Sequence, residues 1–393
     1  MLHKKRHIAA VFDLKWPYKR HYGLFAGLQD YARQHADWTF DVGSYPELQL
    51  ARGVRYDGII GRISVDCEAA ARKVSIPVVN VWIESPVAAN LPGVHPDYHE
   101  AGRMAVEHLI GRGFRHFAYF GFAQTNSAAR QYMGMRESTH EHGYRITRHL
   151  VSRYWDERRH EWLRFENIVQ TAQSAWEGPV GVVCMTDELA RAVATLCPRG
   201  GWAIPEMLAI IGTGNDSLIC TAVDPTLSSV AMGYSTCGFE AARLLDQLMH
   251  GAKPPPVVTH CPPRGLVLRR SSDFFAVSDK KVADALRHMT EHSSGPLSVA
   301  EIARAAGIGR KTLERRFQLH IGRTVNDELI RIRIAKLKRL LVESESTVAA
   351  LSDESGFGNL VSMHTMFKRS TGMTPGDYRA QHGPRPMRTD SGV

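Results

Sequence analysis

Short apolar runs alternate with helical patterns until near residue 270, and beyond it only helical patterns occur. Ile8–Leu14, Asp57–Ile63, Pro77–Ile83, His116–Phe122, Gly181–Asp187 and Leu208–Gly214 read as strands. Tyr22–His35, Asp97–Arg112, Ser127–His142 and Glu188–Leu196 read as the helices between them. Such alternation gives βαβ units and parallel sheets covered by helices. Two such blocks in tandem, divided near residue 100, predict a two-lobed α/β module. Val257–His260 and Gly265–Arg269 read as its last strands, beside the stiff Pro254-Pro255-Pro256 and Pro262-Pro263.

After a linker the pattern is all-helical: Val282–His292, Ser298–Ala306, Lys311–Gln318, Val325–Val342, Val348–Glu354 and Leu360–Ser370 have helical spacing. Charge follows the same division. The chain carries +9, and residues 280–382 hold 17 Lys and Arg against 11 Asp and Glu. About two thirds of the excess thus sits in about a quarter of the chain, the footprint of a phosphate-binding module. A well-solvated helical surface is the plainer reading of the same bias.

Two segments in this tail share one plan. Val299–Ala303 is a short amphipathic helix, Gly307 supplies a turn where a left-handed backbone is cheap, and Lys311–Phe317 follows with Leu313 and Phe317 facing inward. Val348–Glu354, Gly356-Phe357 and Leu360–Phe367 repeat the sequence of helix, glycine turn and helix. That is a helix-turn-helix plan, whose second helix enters the major groove of DNA. The Val325–Val342 helix between them is a spacer of ~27 Å, near the ~34 Å of one DNA turn.

The stretch Leu297–Arg379 resembles the AraC/XylS family. The resemblance lies in Leu313-Glu314-Arg315-Arg316-Phe317, Arg333-Ile334-Ala335-Lys336, Leu340-Leu341, Gly356-Phe357, the run Phe367 to Pro375, and Tyr378-Arg379. Phe357, Phe367 and Tyr378 read as core anchors. The resemblance implies base-facing residues Arg310, Lys311, Glu314 and Arg315, with Arg316 beside them. In the second unit it implies Asn359, Leu360, Val361, Ser362, His364 and Thr365. Arg and Lys donate to guanine, and Glu accepts from cytosine; contact with phosphate alone is the other reading for these cations. The second helix is the less polar, so the first unit is expected to carry more sequence readout and the second more phosphate and methyl contact.

Residues 7–270 resemble the LacI-type core related to periplasmic sugar-binding proteins. The phrases are Asp57-Gly58-Ile59-Ile60, Ile76 to Asn80, Val94-His95-Pro96-Asp97, Gly113-Phe114-Arg115, Thr186-Asp187, Leu208–Gly212, Pro225 to Val230 and Gly238 to Leu245. Residues 1–6, ahead of this stretch, leave no room for the amino-terminal helix-turn-helix that usually precedes such a core. A LacI-like core followed by an AraC-like tail resembles the xylose-responsive regulators of the XylR type. The expected organisation is a ligand-binding module over 1–272, a linker over 273–279, a DNA-binding module over 280–382 and a tail over 383–393.

Sugar hydroxyls need carboxylate, Asn and Arg partners, because a buried donor left unpaired costs about 1–3 kcal/mol. Positions at strand ends single out Trp16, Tyr18, Arg20, Arg130, Asp187, Asn215 and Asp216 as ligand-binding. Asp187 stands at the mouth of the expected cleft or else caps the next helix. Trp16 and Tyr18 cover a sugar ring or pack internally. The resemblance implies an Asp directly before Asn215, where this chain has Gly214.

Six scattered cysteines form no C-x-x-C pair, which suits a reducing compartment and argues against a disulfide framework or zinc site. No apolar stretch reaches the ~18 residues of a membrane span, and no signal peptide is recognisable. Phosphate-loop, H-E-x-x-H and G-x-S-x-G motifs are absent. The expectations are therefore a cytoplasmic protein without catalytic residues, metal or cofactor. Its partners would be double-stranded DNA, a monosaccharide such as D-xylose, a second copy of the chain, and RNA polymerase if it activates. An enzyme acting on a sugar, or a regulator sensing another small molecule or a protein, are the rival classes.

Overall fold

The computed structural model describes residues 5–14, 19–43, 45–156, 158–205, 207–276, 279–344 and 346–382. The first lobe contains β1 (Arg6–Val11), α1 (Lys19–His35), β2 (Trp38–Gly43), α2 (Pro46–Ala51), β3 (Gly58–Gly61), α3 (Val65–Lys73) and β4 (Val78–Asn80). Its sheet is parallel, in the order β2-β1-β3-β4. β5 (Val94–Pro96) leads to the second lobe, built from α4 (Tyr98–Gly111), β6 (His116–Phe122), α5 (Asn126–Glu141), β7 (Arg145–Val151) and α6 (Arg159–Ser174). It continues with β8 (Val180–Cys184), α7 (Asp187–Leu196), β9 (Leu208–Thr213), α8 (Ser217–Thr221) and β10 (Ser228–Ala231). α9 (Tyr234–Met249) returns to the first lobe, β11 (Thr259–Cys261) pairs with β5, and β12 (Gly265–Val267) runs antiparallel to β10. The second sheet has the order β12-β10-β9-β8-β6-β7.

The lobes are interleaved, which corrects the expectation of two tandem blocks. α9 lies against α1 so closely that a Cβ on Gly27 would stand 1.9 Å from the Ser235 carbonyl oxygen. A Cβ on Gly238 would stand 1.9 Å from that of Leu24. Glycine on both helices permits backbone-to-backbone contact, and it pulls a late segment into the early lobe. Periodicity identifies elements but not their partners, so this exchange was hidden. The edge strand β7 was also missed, because exposed Arg145 and Arg148 break its apolar pattern. The central strand β8 is buried along its whole length, as strands covered on both faces are.

Among the described residues the tail folds as seven helices: α10 (Lys280–His292), α11 (Val299–Ala305), α12 (Arg310–Ile321), α13 (Val325–Glu343), α14 (Val348–Glu354), α15 (Leu360–Thr371) and α16 (Pro375–His382). They build two small cores. Ile302, Leu313 and Phe317 centre the first, and Leu351, Met363 and Phe367 the second. α13 serves both, giving Leu329 and Ile332 to one and Leu337 and Leu341 to the other. Its 19 residues make a rod of about 28 Å. Among the described residues no helix is long and apolar enough to cross a membrane.

Candidate nucleic-acid interface and effector cleft

α12 and α15 are built on one frame. Each has twelve residues and ends at a left-handed glycine, Gly322 or Gly372. The inward pair Leu313 and Phe317 of α12 corresponds in position to Met363 and Phe367 of α15, and all four are fully buried. The preceding helices start on hydroxyl caps: Ser298 forms a capping box with Glu301, and Thr347 accepts from the Ala350 amide. The turns use Gly307 at φ +66° and Gly356 at φ +84°. A Cβ on Gly356 would lie 1.8 Å from the Ser293 carbonyl oxygen, so the second turn packs directly on the end of α10. Phe367 meets Tyr378 edge-on at 5.4 Å.

On α12, Arg310, Lys311 and Arg315 are exposed. Arg310 Nε donates to Glu314 Oε1 at 2.9 Å, an exposed pair of little energetic weight that aligns both side chains on one face. Arg316 turns elsewhere, donating to both carboxylate oxygens of Asp279 at 2.9 and 3.1 Å. Asp279 also caps α10, so Arg316 fastens the second helix of the unit to the start of the module. On α15, Asn359 Oδ1 accepts from the Ser362 amide, Ser362 Oγ points to Met366 Sδ, and Thr365 Oγ1 donates to the Val361 carbonyl. His364 is half-buried.

Asp187 follows β8, and Asn215 and Asp216 follow β9, so these three stand at the carboxyl ends of second-lobe strands, where α/β folds place ligands. Asp187 is 2% exposed and begins α7. Thr186 is the cap of that helix, accepting from the Leu189 amide. Asp187 accepts instead from Ser229 Oγ at 2.5 Å and from the Asp216 amide at 2.7 Å. Burial pushes its carboxyl up to about 6, and those two hydrogen bonds hold it from going higher. A Cβ on Gly214 would be 3.2 Å from Asp187 Oδ2. An Asp at 214 would thus crowd a second carboxylate against the first. Asp216 caps α8. Asn215, at φ +54°, receives Arg269 Nη2 on its side-chain oxygen at 2.8 Å. Neither Ser229 nor Arg269 is among the expected ligand-binding residues, since Ser229 lies in β10 and Arg269 beyond β12, far along the chain from Asp187 and Asn215.

Arg20 acts electrostatically on His21, Tyr98 and Tyr234. Arg130 acts on His95 and His260, and its Nε is buried with no hydrogen-bond partner. Burial, with His260 and Arg130 beside it, lowers His95 to about 4, and Asn80 Nδ2 meets its ring nitrogen at 3.1 Å. Trp16 and Tyr18 lie outside the described residues. Glu84 went unnoticed in the sequence. From the first lobe it accepts from the Asn126 amide at 2.7 Å, the Ser127 amide at 2.9 Å and Ser127 Oγ at 2.5 Å. It thereby caps α5 of the opposite lobe, which has no side-chain cap of its own. Among the described residues no cluster suits a metal ion.

The two modules meet at the end of α4. Arg112, 4% exposed, pairs with Asp273 at 3.0 Å and lies 4.3 Å over the Phe275 ring. Arg331 of α13 approaches the same ring at 5.2 Å. Arg331 also pairs with the fully buried Glu328 at 2.6 Å, and Arg323 reaches Glu328 at 3.2 Å. A guanidinium stack therefore links the sensor lobe to the rod between the helix-turn-helix units.

Residues 106–272 match the model of a periplasmic binding protein-like domain, and residues 302–381 that of a helix-turn-helix domain. The chain is 25% identical to the xylose operon regulatory protein of Escherichia coli strain K12 over 389 residues, covering 96% of this chain and 98% of that one. A xylose operon regulatory protein of Haemophilus influenzae is 23% identical over 78% of this chain and 79% of its own. Among solved structures, the xylose-binding transcription activator XylR aligns over 98% of this chain and 100% of its own, with a TM-score of 0.58 at 24% identity. The fold of that protein is thus shared from end to end.

Proposed function

We propose, from the premise that this chain is a regulator of the XylR type, that it binds DNA sequence-specifically through both helix-turn-helix units and does so in response to a monosaccharide. The recurrence of the α12 frame in α15, on one rigid rod, carries this reading. A rod of about 28 Å suits two helices entering successive major grooves about 34 Å apart. D-xylose is the first effector to test, because the relatives that align over most of the chain are named for the xylose operon. Sugar in the interlobe cleft closes the lobes by hinge motion, and the module junction at Arg112 and Phe275 passes that change to the DNA-binding module. The protein acts in the cytoplasm as a homodimer and recruits RNA polymerase to the genes it activates.

All seven tryptophans precede residue 203, so tryptophan fluorescence of the full chain follows the sensor alone. Melting curves are recorded with D-xylose, L-arabinose, D-ribose and other monosaccharides. Ligand at about 100 times its Kd adds about 2.7 kcal/mol, a visible rise in Tm. The same sugars are then added to duplex DNA titrations. A selective shift with D-xylose that also changes DNA affinity supports the reading. A flat panel removes the sugar sensor and leaves the DNA-binding claim to stand on the titrations.

A further inference from the structure

We propose that the second recognition helix reads thymine 5-methyl groups through Leu360 and Val361, while the first reads guanine through Arg310 and Lys311. The inference rests on the DNA-binding reading above and specifies what that surface recognises. The first two residues of α12, Arg310 and Lys311, occupy the same helical positions as Leu360 and Val361 of α15. Val361 is 74% exposed and Leu360 43%. An apolar pair in water at the leading turn of a helix adds nothing to the core beneath, which Met363 and Phe367 already fill. The leading turn is the part of a recognition helix that meets base edges.

The polar neighbours do not compete for that role. Asn359 caps its own helix, Thr365 Oγ1 donates to the Val361 carbonyl, and Ser362 Oγ faces Met366 Sδ. Lys368 and Arg369 are exposed farther along, placed for phosphates, which position a helix without specifying bases. What remains facing outward at the leading turn is apolar. In the major groove the one apolar feature of a base pair is the thymine methyl. The two units, joined by α13, thus make unlike demands, and reversing the protein on its site would set cations against methyls and aliphatic side chains against guanine acceptors.

The test selects duplexes from a randomised library with the full chain, with and without D-xylose, and remakes the enriched site with dU for dT. The expected site carries thymines one helical turn from guanines. Replacing dT by dU under the second unit weakens binding about fourfold per methyl, the equivalent of one buried carbon group, and the same change elsewhere has no effect. In Val361→Ala the dU penalty shrinks toward unity, whereas in Arg310→Ala it persists. Enriched sites without such thymines, equal affinity for dT and dU, or an undiminished dU penalty in Val361→Ala would each overturn the inference while sequence-specific binding stands. Loss of self-association in Val361→Ala with an unchanged response to dU assigns the pair to a protein contact and also overturns it. Absence of any enriched sequence defeats the DNA reading itself.

Discussion

Asp187→Asn tests the burial of this carboxylate most directly. The wild-type carboxyl is buried and raised to about 6, against an ordinary value near 3.9. A raised acid pKa means that the folded protein holds the proton more tightly than the unfolded chain. Stability therefore rises as pH falls through about 6, and the gain is complete only below about 3.9. Two pKa units correspond to about 3 kcal/mol in full, of which linkage gives about 1.4 kcal/mol between about pH 7 and about pH 5. Asn cannot titrate, so that increment vanishes in the variant. At neutral pH two effects oppose each other. Asn escapes the cost of a buried charge, but its single acceptor oxygen cannot serve both the Ser229 hydroxyl and the Asp216 amide, and one donor left unpaired costs about 1–3 kcal/mol. Urea titrations of both proteins, followed by tryptophan fluorescence, give the difference in sensor stability at each pH. It should widen in favour of the wild type by about 1.4 kcal/mol from about pH 7 to about pH 5. A difference that stays constant over that range would refute the argument that burial dominates this carboxyl.

The junction makes a separate forecast: Phe275→Ala removes the ring between Arg112 and Arg331, so sugar binding and DNA binding each persist while the effect of one on the other disappears in paired titrations. Glu84→Gln weakens the bridge from the first lobe to the start of α5, and effector affinity should fall several-fold with little change in DNA binding without effector. Arg315 and Arg316 of α12 should behave oppositely. Arg315→Ala should cost about 1–3 kcal/mol of DNA affinity and relax preference at one base pair. Arg316→Ala should instead lower the melting temperature of the DNA-binding module, because its partner is Asp279; an unchanged melting temperature with lost DNA affinity would reverse that assignment.

The helix-turn-helix units were legible in the sequence to within a few residues. Their determinants are local: apolar pairs four apart at Leu313 and Phe317, hydroxyl caps, and glycines that tolerate a left-handed backbone. The spacer helix was legible for the same reason. Tertiary structure decided what no short window contains. It set α9 against α1 through two glycines far apart in the chain, and so wove the lobes together. It placed Ser229 against Asp187, Arg269 against Asn215, Glu84 on α5 and Arg316 on Asp279. A charged or polar side chain shows its type in the sequence, but its partner is chosen by the packing of distant elements. The outward faces of α12 and α15 follow from helical phase alone, whereas the partners of Asp187 and Asn215 depend on which strands end together.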